Sequence, residues 1–161
     1  IEGNGALSFG RGDNHLSFRI GQRELTCRIL EGSFPDYERV ISKDNDKNVV
    51  IDRRRLNEAV QRVALLTGDR ARAIRCAFAD GTLTVSATNP DLGEAVESLE
   101  CEVDGGEVKI GINPDYLSHF LGAVETDTVR LELKDENTQC IGVPVDGGDR
   151  RYLCVIMPMR I

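Results

Sequence analysis

A chain of 161 residues, 40% apolar and 29% charged, has the composition of a soluble globular protein with one well-buried core and room for part of a second. No apolar run nears the ~20 residues that a membrane-spanning helix needs, and five cysteines, odd in number and irregularly spaced, fit reduced cytosolic thiols better than a disulfide framework. The net charge of −7 argues, taken whole, against phosphate binding, which depends on Lys and Arg.

Ile1 to Phe9 has neither a basic start nor an apolar core, so no secretory leader is expected and the native start is expected upstream. Ala6–Phe9, the turn at residues 10–14 and Leu16–Ile20 predict a hairpin, followed by a strand over Arg23–Leu30. Arg11-Gly12-Asp13 spells an adhesion tripeptide but is read as that hairpin's turn. Gly32 and Pro35 mark a connector, with a domain boundary expected near residues 33–45 and a short strand over Val49–Ile51. Leu56, Ala59, Val60, Val63 and Ala64 then fall on one face of a helix.

Two features of this helix break the usual rules. Arg53, Arg54 and Arg55 crowd its first turn, where the helix dipole disfavours cations by roughly 0.3–1 kcal/mol each, so a group outside the helix is expected to want them. Leu65 follows Leu56 by nine residues, about 180° round the wheel at 100° per residue, and is expected to face a partner or to mark a frayed end. The charge is also segregated. From Arg53 to Arg75, seven arginines (53, 54, 55, 62, 70, 72 and 75) oppose Glu58 and Asp69, a net +5 that leaves −12 for the remainder.

Cys76–Phe78, Asp80-Gly81 and Leu83–Ala87 predict a second hairpin, with strands over Ala95–Val103 and Val108–Ile112. Asn113 is a predicted cap with Pro114 at the first helical position, and Leu117, Phe120, Leu121 and Val124 form the stripe of a second helix. Strands are expected again at Val129–Leu133, Cys140–Val145 and Tyr152–Met157. The two chain ends resemble one another at a period of roughly 125 residues, which predicts a tandem α+β repeat. One complete unit of two helices and about eight strands packed as antiparallel sheets is expected at 41–161, preceded over 1–40 by the closing strands of another unit.

Phe34-Pro-Asp-Tyr-Glu-Arg-Val-Ile, Arg62-Val-Ala-Leu-Leu, Ala87-Thr-Asn-Pro, Gly111-Ile-Asn-Pro-Asp-Tyr-Leu and the terminal Val155-Ile-Met-Pro-Met-Arg-Ile closely resemble, in order and spacing, the β subunits of bacterial DNA polymerase III. The resemblance implies a DNA-clamp fold: three similar domains per chain, two chains head to tail, and a ring that encloses duplex DNA without reading its sequence. Residues 1–40 would be the closing strands of a middle domain and 41–161 the third domain. It implies a non-enzymatic, cofactor-free and metal-free protein of the cytoplasm. The partners would be the catalytic subunit of DNA polymerase III, a clamp loader and other replication and repair proteins, with a homodimer in the full-length form and no membrane.

Carried over position by position, the peptide-binding groove would take Pro35, Arg39, Val40, Asn113, Tyr116, Val155, Met157, Pro158, Met159 and Arg160. Flexible thioethers suit a groove with many ligands. Arg54, Arg55, Arg62 and Arg72 would face DNA, and Leu65, Leu66, Glu94 and Glu97 would close the ring. Ser42, Gln139, Cys140 and Ile161 depart from the family pattern and leave peptide preference open.

Two rival readings stand beside this one. Cys101 with His119, or a calcium loop over Asp44–Asn48, would make an enzyme or a metal site, but the loop lacks the glycine after Asn48 and has Arg55 where a twelfth-position glutamate belongs. His15 and His119 have no second histidine at helical spacing. A generic interaction module would bind proteins without any topological hold on DNA.

Overall fold

The computed structural model describes residues 5–68, 72–146 and 152–160, so Arg70, Arg151 and Ile161 lie outside the described residues. The chain divides into two units, Ile1–Asp36 and Tyr37–Ile161.

In the first unit, β1 (Leu7–Arg11), β2 (His15–Ile20) and β3 (Arg23–Arg28) form an antiparallel meander. Phe9, Phe18 and Leu25 share one cross-strand row, with the two phenylalanine rings 5.3 Å apart. Gly10 and Arg11, expected in the turn, belong to β1. β3 stops at Arg28 rather than Leu30, where the Ile29 N–H turns back to donate to the Asn14 carbonyl at 2.8 Å.

The second unit begins with a 3₁₀ turn, Tyr37–Arg39, followed by β4 (Lys47–Asp52), α1 (Arg53–Ala64), β5 (Ile74–Ala79), β6 (Thr82–Asn89) and β7 (Gly93–Glu100). β8 (Glu102–Asp104), β9 (Val108–Ile112), α2 (Pro114–Ala123), β10 (Thr128–Leu133), β11 (Cys140–Pro144) and β12 (Cys154–Ile156) complete it. Two antiparallel sheets result, in the orders β12-β11-β10-β4-β8 and β7-β6-β5-β9. The core lies between their inner faces and the two packed helices, where Leu56, Val60, Phe78, Leu83, Ile110, Leu117, Phe120 and Leu131 are all at most 1% exposed. Strict alternation in β6 and β10 puts one side chain in two into this core.

Local chemistry explains the punctuation. Asp80 and Gly81 both take positive φ, 48° and 73°, as a tight two-residue hairpin requires. Asp52 caps α1 by accepting the Arg55 N–H at 2.8 Å, and Asn113 caps α2 by accepting the Asp115 N–H at 2.9 Å. Of the predicted stripe, Leu56, Ala59, Val60 and Val63 are buried and Ala64, at the helix end, is half-buried.

Two more expectations are corrected. The single strand over Ala95–Val103 is two: β7 pairs with β6 in one sheet, β8 with β4 in the other, and the Cys101 N–H between them donates to Gly81. In–out alternation runs unbroken through the crossing, so periodicity could not reveal it. The last strand is Cys154–Ile156, shorter than Tyr152–Met157; the nine strands of the second unit among the described residues agree with the about eight expected. The chain ends that resemble one another in sequence both fold as three-stranded antiparallel meanders, β1-β2-β3 and β10-β11-β12.

Candidate functional site

β12 is one edge of the five-stranded sheet and β9 one edge of the four-stranded sheet. The chain leaves β12 after Ile156 and crosses to β9, where the Met159 N–H donates to the Gly111 carbonyl at 2.8 Å. Met157 and Pro158 therefore span the seam between two sheet edges. Because Gly111 and Met159 pair antiparallel, the span runs alongside Asn113 and the first turn of α2, which carries Tyr116. Met157 is 59% exposed and Tyr116 60%, whereas Val155, Pro158 and Met159 are half-buried and Arg160 is exposed. The Asn113 side-chain oxygen is committed to its cap, which leaves its amide N–H groups for a ligand.

Val40 reaches the same seam through a long-range bond. Gln139 Nε2 donates to the Val40 carbonyl at 2.8 Å, and Gln139 precedes Cys140, which pairs with Ile156. Asn45 Nδ2 reinforces this by donating to the Glu132 and Gln139 carbonyls at 2.8 and 3.1 Å. The run considered as a calcium loop is thus a structural clamp at Asn45, and its Asp46 is paired with Lys47 at 2.9 Å. Arg39 ends the 3₁₀ turn and is exposed; Pro35 belongs to the first unit.

The arginines separate into different tasks. Arg53, half-buried, donates through Nε to the Thr126 carbonyl at 2.7 Å and through Nη1 to the Leu121 carbonyl at 3.1 Å. Leu121 lies in the last turn of α2, where carbonyls lack helical partners, so this cation closes a neighbouring helix rather than serving an outside ligand. Arg62 forms a two-bond pair with Glu97, Nε–Oε1 2.6 Å and Nη2–Oε2 3.1 Å, and Arg72 pairs with Asp115 at 3.1 Å. Arg54 and Arg55 are exposed and make no ion pair among the described residues.

Leu65, just beyond α1, is 79% exposed, as its place on the helical wheel predicts; Leu66 is half-buried against the core. Glu94 and Glu97 lie on β7, an edge strand of its sheet. Glu94 is exposed opposite Thr88, but Glu97 shares the inward face with Ala95 and Leu99 and takes Arg62 there. The guanidinium holds the Glu97 carboxyl below the usual carboxylate range, and the carboxylate in turn raises the Arg62 pKa. Two residues assigned to different surfaces are therefore partners.

The family model for the C-terminal domain of the DNA polymerase III beta subunit matches residues 38–160. The chain belongs to this family. A β sliding clamp of Pseudomonas aeruginosa is 38% identical over 160 residues, which cover 99% of this chain and 43% of that protein. A crystal structure of a DNA polymerase sliding clamp from the same organism, with ligand, gives a TM-score of 0.86 at 37% identity, over 98% of this chain and 43% of that one. The DNA polymerase III β subunit of Thermotoga maritima gives 0.82 at 25% identity, over 96% and 42%. The chain therefore spans less than half the length of these relatives.

The seam presents apolar side chains with polar groups at the margin. Burial pushes the Cys76 thiol up to about 12 and raises that of Cys101, the wrong direction for a nucleophile. Among the described residues no cluster of three or more His, Cys, Asp or Glu side chains could hold a metal, and no helix is long and apolar enough to cross a membrane. Gln139 stood out in the sequence only as a departure from the family pattern, and the group outside α1 that Arg53 was expected to serve is a pair of carbonyls at and beyond the end of α2, far away in the chain.

Proposed function

We propose that the chain forms the partner-docking and ring-closing part of a non-enzymatic sliding clamp, with residues 1–40 completing a middle domain and 41–161 forming the third. The full ring encloses duplex DNA and tethers the polymerase and other replication and repair proteins, which dock apolar peptide residues on the seam of Val40, Tyr116, Met157 and Pro158. The observation that carries the reading is the convergence of exposed apolar side chains where Met157 and Pro158 bridge two sheet edges, in a chain of the clamp family. Leu65, with β7 beside it, forms the contact with a second copy, and Arg54 and Arg55 lead the DNA-facing side. No cofactor takes part, and the protein acts in the cytoplasm.

The test uses the full-length protein, placed by a clamp loader and ATP on nicked circular DNA and passed through gel filtration before and after linearisation. Retention on circles and loss from linear DNA is expected, and Leu65→Asp is expected to be lost from both. Equal retention on circles and linear DNA would reduce the protein to an ordinary DNA binder. Retention of Leu65→Asp on circles would remove Leu65 from ring closure.

A further inference from the structure

On the solvent face of the four-stranded sheet, two clefts meet. One, of about 480 Å³, is lined by Arg75, Lys109, Gly111, Glu136, Met159 and Arg160 among others. The second, of about 350 Å³, shares Arg75 and Arg160 and adds Ser86, Thr88 and Glu94. Register explains the convergence. Arg75 on β5 stands directly opposite Gly111 on β9, Gly111 bridges to Met159, and Lys109 lies two residues from Gly111 on the same face. Gly111, itself buried, brings no side chain between them, and Arg75, Lys109 and Arg160 line the same cleft. All three are exposed, and none is in an ion pair among the described residues. Elsewhere on the surface Arg19, Arg28, Arg62, Arg72 and Arg130 each hold a carboxylate, whereas Arg54 and Arg55 do not among the described residues.

We propose that Arg75, Lys109 and Arg160 form an anion-binding subsite, which holds an acidic side chain flanking the apolar anchors of a peptide docked on the seam. This rests on the peptide-docking reading above, and it adds to it Arg75 and Lys109, which no motif singled out. Two observations choose the occupant. The clefts continue from the seam through Met159 and Arg160, so a peptide anchored at Met157 passes them. Their cations also alternate with Glu94 and Glu136, which leaves a net charge of only +1 over both clefts. That balance suits a single carboxylate held by an arginine fork, whereas a duplex backbone calls for a continuous cationic track.

The test is fluorescence polarisation of the whole 161-residue chain with two synthetic dodecapeptides at low and high salt. One has a central Leu-Phe pair flanked on both sides by Glu; in the other every Glu is Gln. The acidic peptide is expected to bind about fivefold tighter at low salt, with the advantage fading at high salt, as partly exposed charge pairs do. Arg75→Gln with Lys109→Gln is expected to erase that difference and leave the neutral peptide's affinity unchanged. Equal affinities in the unmodified chain, or a preference that survives the double substitution, overturn the subsite while the seam reading stands. Binding of neither peptide overturns the seam reading and the subsite with it. Binding of a 20-base-pair duplex that is lost on the double substitution reassigns the cluster to DNA and overturns the proposal.

Discussion

Gly142 on β11 is buried against the ring of Phe120 from α2. A methyl group there would stand 2.7, 2.8 and 3.1 Å from Cε1, Cζ and Cδ1 of Phe120, where ordinary contact begins at 3.4 Å. The ring cannot retreat freely, because Phe120 is 1% exposed and stacks on Tyr152 with centroids 6.1 Å apart. Overpacking of this kind costs roughly 1–3 kcal/mol, and the reduced freedom of the unfolded chain returns about 0.4–1. Gly142→Ala is therefore expected to destabilise the second unit by about 1–2 kcal/mol, a fall of about 1 M in the urea midpoint for a slope near 1.5 kcal/mol/M. The chain has no tryptophan and three tyrosines, Tyr37, Tyr116 and Tyr152, all in the second unit, so tyrosine fluorescence follows that unit alone. In a Phe120→Leu background the same substitution is expected to be neutral or slightly stabilising. An equal cost in both backgrounds, or none in the native sequence, would refute the close approach as its cause.

Arg53→Met keeps the stem of the side chain but strips the Thr126 and Leu121 carbonyls of their donor, and a loss of about 1–3 kcal/mol in urea unfolding is expected. Glu97 has a folded pKa below its unfolded value, so its contribution is present above the unfolded carboxylate range and is lost as pH falls through the folded pKa. Glu97→Gln should accordingly be less stable than the native chain at pH 7, with the difference shrinking as pH falls below the usual carboxylate range. With N-ethylmaleimide at pH 7.5, followed by mass spectrometry, Cys27 is expected to react first. Buried Cys76 and Cys140, whose thiols are raised by burial, should react only on unfolding.

Sequence made the elements legible where one local cause set them. The stripe from Leu56 to Val63, the Asp80-Gly81 turn and the Asn113-Pro114 cap each follow from chemistry within a few residues. What escaped depends on residues far apart. Arg62 and Glu97 lie 35 residues apart, Arg53 and Thr126 are separated by 73, and Gln139 and Val40 by 99. The crossing at Cys101 leaves no trace, because both sheets demand the same alternation. Of the candidate site, motifs named the seam residues, but only the fold shows that Gln139, next to the strand that pairs with β12, ties down Val40. Arg75 and Lys109 left a faint trace as charged residues alternating with buried apolar neighbours, which marks the open face of a strand but not what collects there.

Seven arginines between residues 53 and 75 overstate the field that a duplex would meet. Arg53 is turned inward, Arg75 lies on β5 on the solvent face of a sheet, and Arg62 and Arg72 already hold carboxylates. Arg54 and Arg55 alone, among the described arginines of α1, are exposed without an ion pair. On the proposed clamp reading, a ring that slides would need attraction too weak to fix it in place, and two uncommitted cations flanked by neutralised ones would fit that need. Each phosphate neutralised contributes about 0.9 to the slope of log affinity against log salt. In the full-length protein, Arg54→Gln with Arg55→Gln is therefore expected to lower the magnitude of that slope by roughly 1.8 per copy for a short duplex. Arg62→Gln with Arg72→Gln should change it far less, because each must first release its own carboxylate before it can displace a counterion. Equal changes from the two pairs would show that the intramolecular pairs open whenever DNA is near, and the distinction among these arginines would then fall.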